Sequence, residues 1–264
     1  MLDLSNNGTR FEGLASLYDQ ARPAVPFYPV QILTHYLGRR PGKVVDLGCG
    51  PGISTQIWQG NCEEAIGVEP NHDMVETARL KEGEGLRFVQ AFGHETGLPD
   101  QSVDIVVSSQ AFHWMEPVST LDEINRILVS GGIFSTIDYD WPPACGWKAE
   151  LACREFNRAL MSIDPTGPRQ GIVRWKKQEH LKHIQESGHF IYCREILFAS
   201  TQVYSADRMV DMAMSHSSAS YIAEHYPEHA AAQIRLFRDK LYDILGTEEF
   251  STDISYRMRM GVKR

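Results

Sequence analysis

The chain has 264 residues, 42% hydrophobic and 23% charged, with a formal net charge of −8. This length and apolar share suit one large packed domain, or one domain with an insertion, and argue against global disorder. The acidic balance argues against a general affinity for nucleic acid, whose phosphate backbone rewards a basic surface.

Lys43-Val44-Val45-Asp46-Leu47 is a short apolar run ending in glycines, the pattern of a buried parallel strand. Ile53 to Gln59 then reads as the start of a helix. Glu64 to Glu69 reads as a second strand. Asn71 follows as an N-cap, with Met74, Val75 and Ala78 at helical spacing. Leu86 to Ala91 and Val103 to Ser108 are the third and fourth strands. Pro117 to Val129 reads as a helix closed by Gly131-Gly132, and Ile133 to Tyr139 as the fifth strand.

After Tyr139 the pattern changes. Trp141-Pro142-Pro143 breaks the chain, Lys148 to Met161 looks helical, and Asp164 to Pro168 is a loop. Lys177 to Gly188 is expected to be helical and Phe190 to Phe198 a strand. Two helical stretches, Ala206 to Met214 and His229 to Leu245, precede a last strand over Ser251 to Met260. Strands alternating with helices give an α/β fold: a doubly wound, mostly parallel, seven-stranded sheet with helices inserted before the last strand. In such sheets ligands bind outside the carboxyl ends of the strands. The glycine segment, Glu69, Ala91-Phe92 and the run from Ser108 to Trp114 all follow strand ends and would converge on one rim.

The N-terminus lacks the basic start and apolar stretch of a signal peptide, and no long apolar run follows, so a cytoplasmic protein without a membrane partner is expected. The five cysteines are odd in number and none has C-x-x-C spacing, which suggests neither disulfides nor zinc. His180 and His183 share a helix face but have no acidic or thiol partner nearby in sequence, so no metal is expected. Arg174, Lys176 and Lys177 read as a solvated basic helix face.

Glycines after a strand let backbone pass close to a ligand, and the same logic serves dinucleotides. Three details favour a different ligand. The spacing is G-x-G-x-G, at Gly48, Gly50 and Gly52, whereas the dinucleotide fingerprint wants its third glycine at Ile53. Pro51 removes an N–H where a pyrophosphate wants donors. The carboxylate of Asp46 suits an ammonium or sulfonium and repels phosphate. Glu69, closing the second strand, can accept both hydroxyls of a ribose.

Asp46-x-Gly48-x-Gly50-x-Gly52, Glu69-Pro70, Thr96-Gly97-Leu98-Pro99-Asp100 and Gln110-Ala111-Phe112-His113-Trp114 resemble the class I S-adenosylmethionine-dependent methyltransferases. Within these the resemblance is to the UbiE/trans-aconitate methyltransferase-like (methyltransferase type 11) group. The opening Tyr18-Asp19-x-x-Arg22-Pro23-x-x-x-x-Tyr28-Pro29 resembles that group's cofactor-capping segment. The resemblance is strong over residues 11 to 140 and loose beyond. It implies the Rossmann-like methyltransferase fold with an N-terminal helical cap, residues 1–140 holding cap and cofactor core and 141–264 completing the same domain. It implies S-adenosylmethionine as cofactor and a small-molecule acceptor.

By the same resemblance Gly48, Cys49 and Gly50 would pass beneath the methionyl part of the cofactor, with Asp46 near its amino group. Glu69 and Pro70 would lie at the ribose, Met74 would pack on the adenine, and Phe92 and Gly93 would flank its edge. Phe92 stands where many relatives carry an acidic residue. Ser109 and Gln110 would reach the methionyl part from the fourth strand, with Tyr18 and Arg22 in the cap above. A base is needed only if the nucleophile must lose a proton, and His113 is the candidate. The acceptor wall is expected from Tyr139, Trp141, Trp147, Arg174 and Trp175, with helices near Met209 to His216. Arg22 and Arg174 together would suit a carboxylate acceptor. Two other readings remain: a non-catalytic S-adenosylmethionine-binding protein, and a nicotinamide-dependent oxidoreductase. A monomer and a homodimer are both compatible with the sequence.

Overall fold

The computed structural model describes residues 22, 23, 25–167 and 170–264. Tyr18 and the rest of the capping segment before Arg22 lie outside them. After helix α1 (Tyr28–Leu37), strand β1 (Lys43–Leu47) leads through the glycine turn to the short helix α2 (Ile53–Gln56). Then come β2 (Glu64–Glu69), α3 (His72–Arg79), β3 (Leu86–Gln90) and β4 (Val103–Ser109). A 3-10 turn over Phe112–Trp114 precedes α4 (Pro117–Ile127) and β5 (Leu128–Tyr139). The remainder is α5 (Trp147–Ile163), α6 (His180–Glu186), β6 (Phe190–Tyr204), α7 (Ala206–Met214), α8 (Ser217–His225), α9 (Pro227–Leu245) and β7 (Phe250–Lys263).

The strands form one seven-stranded sheet in the order β3-β2-β1-β4-β5-β7-β6. β1 pairs in parallel with β2 and β4, and β4 with β5, while β7 runs antiparallel to both β5 and β6. The chain winds outward from β1 to β3, then returns to lay β4 on the other side of β1. The crevice between the carboxyl ends of β1 and β4 is therefore the topological switch point. Val44, Ile105 and Ile133 belong to one apolar cluster, and Val45, Val106 and Phe134 to another. Helices cover both, as continuous apolar strand runs require.

Several boundaries differ from the sequence expectation, three of them with a clear physical reason. α4 ends at Ile127, not Val129, because Leu128 is already extended and pairs with Val103. The Gly131-Gly132 pair lies inside β5, where the β4–β5 register shifts between Val103 and Ile105. It relieves a strand irregularity and does not close a helix. β6 continues past Phe198 to Tyr204, since polar Ser200, Thr201 and Gln202 still pair with β7. Helix α8 had no counterpart in the sequence expectation. Among the described residues no helix is long and apolar enough to cross a membrane.

Candidate functional site

The glycine turn after β1 is tied to β2: Gly48 N and Cys49 N both donate to the Val68 carbonyl, at 2.8 and 3.2 Å. Gly48 has φ +69, and a Cβ there would stand 2.5 Å from Ala111 Cβ and 2.9 Å from Met115 Cε. Gly48→Ala is therefore expected to lower the melting temperature by several degrees, from backbone strain plus overlap with the segment after β4. Gly50 differs. It has φ +55, but a Cβ added there would meet nothing within 4 Å, so open space lies above its Cα.

Two carboxylates lie beneath and beside this turn. Asp46 is fully buried, and its Oδ2 accepts from Ser54 Oγ at 2.5 Å and Thr55 Oγ1 at 2.8 Å in the first turn of α2. Its Oδ1 is buried without a partner. Burial pushes this carboxyl up to about 6 in spite of the two hydroxyls. Glu69 accepts from Gly50 N on Oε2 and from Asn71 N on Oε1, both at 3.0 Å. Burial pushes it up to about 7 against those two amides. Asn71 is the N-cap of α3, its Oδ1 accepting from Met74 N at 3.0 Å. Met74 is buried, and Pro70 offers its carbonyl to Gln90. Phe92 is 42% exposed and rests against His94, while Gly93 is buried beside Met115.

Among the described residues, two cavities open on the switch point. The smaller, about 70 Å³, is lined by the glycine turn from Gly48 to Pro51 together with Arg22, Ser109, Gln110 and Tyr139. The larger, about 350 Å³, shares Arg22, Gln110 and Tyr139 with it. It extends over His113, Trp114, Trp141, Arg174 and Lys177 to Ala213 and His216. Arg22 spans the junction, donating to Tyr139 Oη and, at 3.1 Å, to the Ser215 carbonyl. Gln110 has φ +55, uncommon outside glycine, and lies at the same junction. Its Nε2 is buried without a partner.

His113 is buried and lines the larger cavity, with Nδ1 unpartnered. Burial first, then the charges of Lys177 and Arg174, hold its imidazole well below the usual histidine range. It is neutral at physiological pH. Arg174 lies over the Trp114 ring at 5.1 Å, and Trp175 N donates to the His113 carbonyl at 2.9 Å. The segment before α6 is thereby pinned over the cavity.

Most of the residues expected at the site meet here, but several expectations fail. Trp147 is 72% exposed, and neither it nor Trp175 lines either cavity. Met209 is wholly buried in the core beneath, and Ala213 and His216 from the same region reach the wall. Lys177 is not on a solvated helix face; it points its ammonium at Asp138 and Gln110. Sequence reasoning also missed Asp138, which accepts from Arg259 at 2.9 Å and contacts His180 Nδ1 at 3.1 Å. An acidic residue inside the apolar run of β5 was the signal available.

Comparison with known proteins agrees with this geometry. A family model described as a methyltransferase domain matches residues 45–136. A Saccharomyces cerevisiae protein named as a probable S-adenosylmethionine-dependent methyltransferase is 31% identical over 159 residues, 53% of this chain and 54% of its own length. The ubiquinone/menaquinone biosynthesis C-methyltransferase UbiE of Campylobacter jejuni is 28% identical over 163 residues, 55% of this chain and 68% of its own. The match thus spans about half the length of the yeast relative. A solved structure from Anaeromyxobacter dehalogenans, described as a candidate type II methyltransferase, shares the fold with a TM-score of 0.69 at 18% identity. It covers 92% of this chain and 97% of its own. Residues 45–136 thus match a methyltransferase domain, and about half of the chain is similar to S-adenosylmethionine-dependent methyltransferases.

Proposed function

We propose that the chain transfers a methyl group from S-adenosylmethionine to a small acceptor that carries an anionic group, a carboxylate being the first candidate. The observation that carries this reading is the junction at Gln110, Arg22 and Tyr139, where the smaller cavity over the glycine turn meets the larger cation-lined one. The residues present fit the cofactor. Open space above Gly50 leaves room for it, and the unpartnered Asp46 Oδ1 is an acceptor for an ammonium. Each Glu69 oxygen takes one amide and keeps a lone pair for a ribose hydroxyl. Pro51, with no N–H, suits a ligand without a pyrophosphate.

When bound, S-adenosylmethionine supplies a methyl carbon already activated by a sulfonium. The protein's task is then alignment and exclusion of water. Arg22, Tyr139 and Gln110 lie between the two cavities and would set the line between donor and acceptor. His113 is neutral, so its unpartnered Nδ1 can orient a nucleophile or take its proton. The net charge, −8, and the cationic cavity wall favour a small anion as substrate over a nucleic acid.

Incubating the chain with methyl-labelled S-adenosylmethionine and a panel of small mono-, di- and tricarboxylic acids tests the reading. Label should pass to an acid and not to the corresponding amides; transfer to the amides alone would reject the anionic acceptor. With that acceptor in hand, His113→Ala is expected to lower kcat about 100-fold or more while cofactor Kd stays within about twofold. Equal losses in both would remove His113 from the chemistry.

A further inference from the structure

Lys177 begins a 3-10 turn over Lys177–Glu179, and its side chain is only 23% exposed. It lines the larger cavity. Its Nζ stands 3.2 Å from Asp138 Oδ1 and donates to Gln110 Oε1. Asp138 does not serve Lys177 alone. The same carboxylate accepts from Arg259, whose side chain is 4% exposed, and contacts His180. The negative charge is shared, so Lys177 keeps excess positive charge at the cavity wall. An ammonium has three donors, and the two named acceptors leave one over.

Gln110 completes the arrangement. Because Oε1 accepts from Lys177, the amide orientation is set and Nε2 is the group left facing elsewhere. That Nε2 is buried with no partner, on a residue that lines both cavities. A buried donor without an acceptor is costly unless a ligand supplies one. Oε1 and Nε2 share one carbon, so the orphan donor lies beside the ammonium. Arg22 and Arg174 add positive charge to the same wall. Among the described residues the one acidic residue lining it, Asp140, is half exposed and paired with Arg257 at 3.3 Å.

We propose that Lys177, with the Gln110 amide that it orients, anchors an anionic oxygen of the methyl acceptor at the junction of the two cavities. The anion is a carboxylate or a phosphate, either of which offers oxygens to two adjacent donors. Lys177 is then a specificity-determining residue. It selects acceptors whose anionic group lies close to the methylated atom. This deepens the proposed function and rests on it.

Calorimetric titration of citrate, and separately of inorganic phosphate, into the full chain holding S-adenosylhomocysteine tests the anchor. The wild type should bind at least one of them, and which one distinguishes carboxylate from phosphate. Lys177→Met should weaken that anion roughly tenfold or more, the effect of one charge-assisted hydrogen bond, and leave S-adenosylhomocysteine affinity within about twofold. Lys177→Gln, which keeps a polar but uncharged end, carries the same expectation if the methionine variant does not fold. Unchanged anion affinity in either variant overturns the anchor, as does an equal loss of S-adenosylhomocysteine. A wild type that binds S-adenosylhomocysteine but neither anion overturns the anchor and leaves the proposed function standing. A chain that does not bind S-adenosylhomocysteine fails the proposed function itself, and the anions titrated into the chain alone then decide the anchor.

Discussion

Asp138→Ala is expected to destabilise the fold by about 3–5 kcal/mol, the cost of removing one partner from a buried ionic cluster. Asp138 sits near the end of β5, and three side chains converge on it: Arg259 at 2.9 Å, His180 at 3.1 Å and Lys177 at 3.2 Å. Burial opposes its ionisation. The His180 hydrogen bond and the Lys177 charge overcome that and hold the carboxyl far below the usual range. Arg259 has a second partner in Glu195 at 2.8 Å, so it is not wholly abandoned by the substitution. Lys177 and His180 keep less. Asp138→Asn retains an acceptor and should cost about half as much. Denaturant unfolding of the three chains measures both values. A loss under about 1 kcal/mol for Asp138→Ala would mean that the cluster is solvated in practice. Because the Asp138–Arg259 pair reinforces the β5–β7 ladder, the variant should also show early exchange of β6 and β7 amides.

The second large effect concerns Glu69. Glu69→Gln should weaken S-adenosylmethionine roughly 10–100-fold, as expected when a charged acceptor of hydroxyl hydrogen bonds becomes a neutral one. The pH dependence follows from the raised carboxyls. Asp46 titrates at about 6 and Glu69 at about 7 in the folded chain, and in the proposed binding mode both must be ionised to accept from an ammonium and a ribose. Affinity should therefore rise from pH 5 to pH 8. In Glu69→Gln the upper part of that rise should vanish and the part governed by Asp46 remain. Without ligand the sign reverses. A group whose folded pKa is raised contributes stability that is present at low pH and lost as pH rises through the folded value. The Glu69→Gln chain should thus gain stability relative to wild type between pH 5 and pH 8. A constant difference across that range would show that Glu69 is not buried in its charged form.

How much of this was legible beforehand depended on what kind of signal each element left. The parallel core was plain, because β1, β2 and β4 are mainly apolar runs punctuated by glycine or a cap such as Asn71, and β5 has an apolar stretch from Ile133. The rim was legible too, since Gly48, Gly50, Gln110 and His113 follow strands, and Glu69 and Ser109 end them. The last third was not. β6 and β7 carry alternating polar residues, so their ends were underestimated, and the Gly131-Gly132 pair looked like a helix stop although it sits in a strand. Lys177 and Trp147 were misassigned for one reason: local sequence shows residue type but not the partner brought from far along the chain. Asp138, Arg259 and Lys177 lie 39 or more positions apart and meet only once β7 is laid against β5. The strand-end position of Glu69 predicts a ribose acceptor, but its two backbone amide partners depend on the turn geometry.

The central claim is that the glycine turn and its two carboxylates hold S-adenosylmethionine. Calorimetric titration of S-adenosylhomocysteine and of NAD into the wild-type chain at pH 7.5 tests it most directly, with Glu69→Gln alongside. The expected result is one S-adenosylhomocysteine per chain, no heat from NAD, and at least a tenfold weaker isotherm in the variant. Binding of NAD in its place, or equal S-adenosylhomocysteine affinity in wild type and variant, would contradict it.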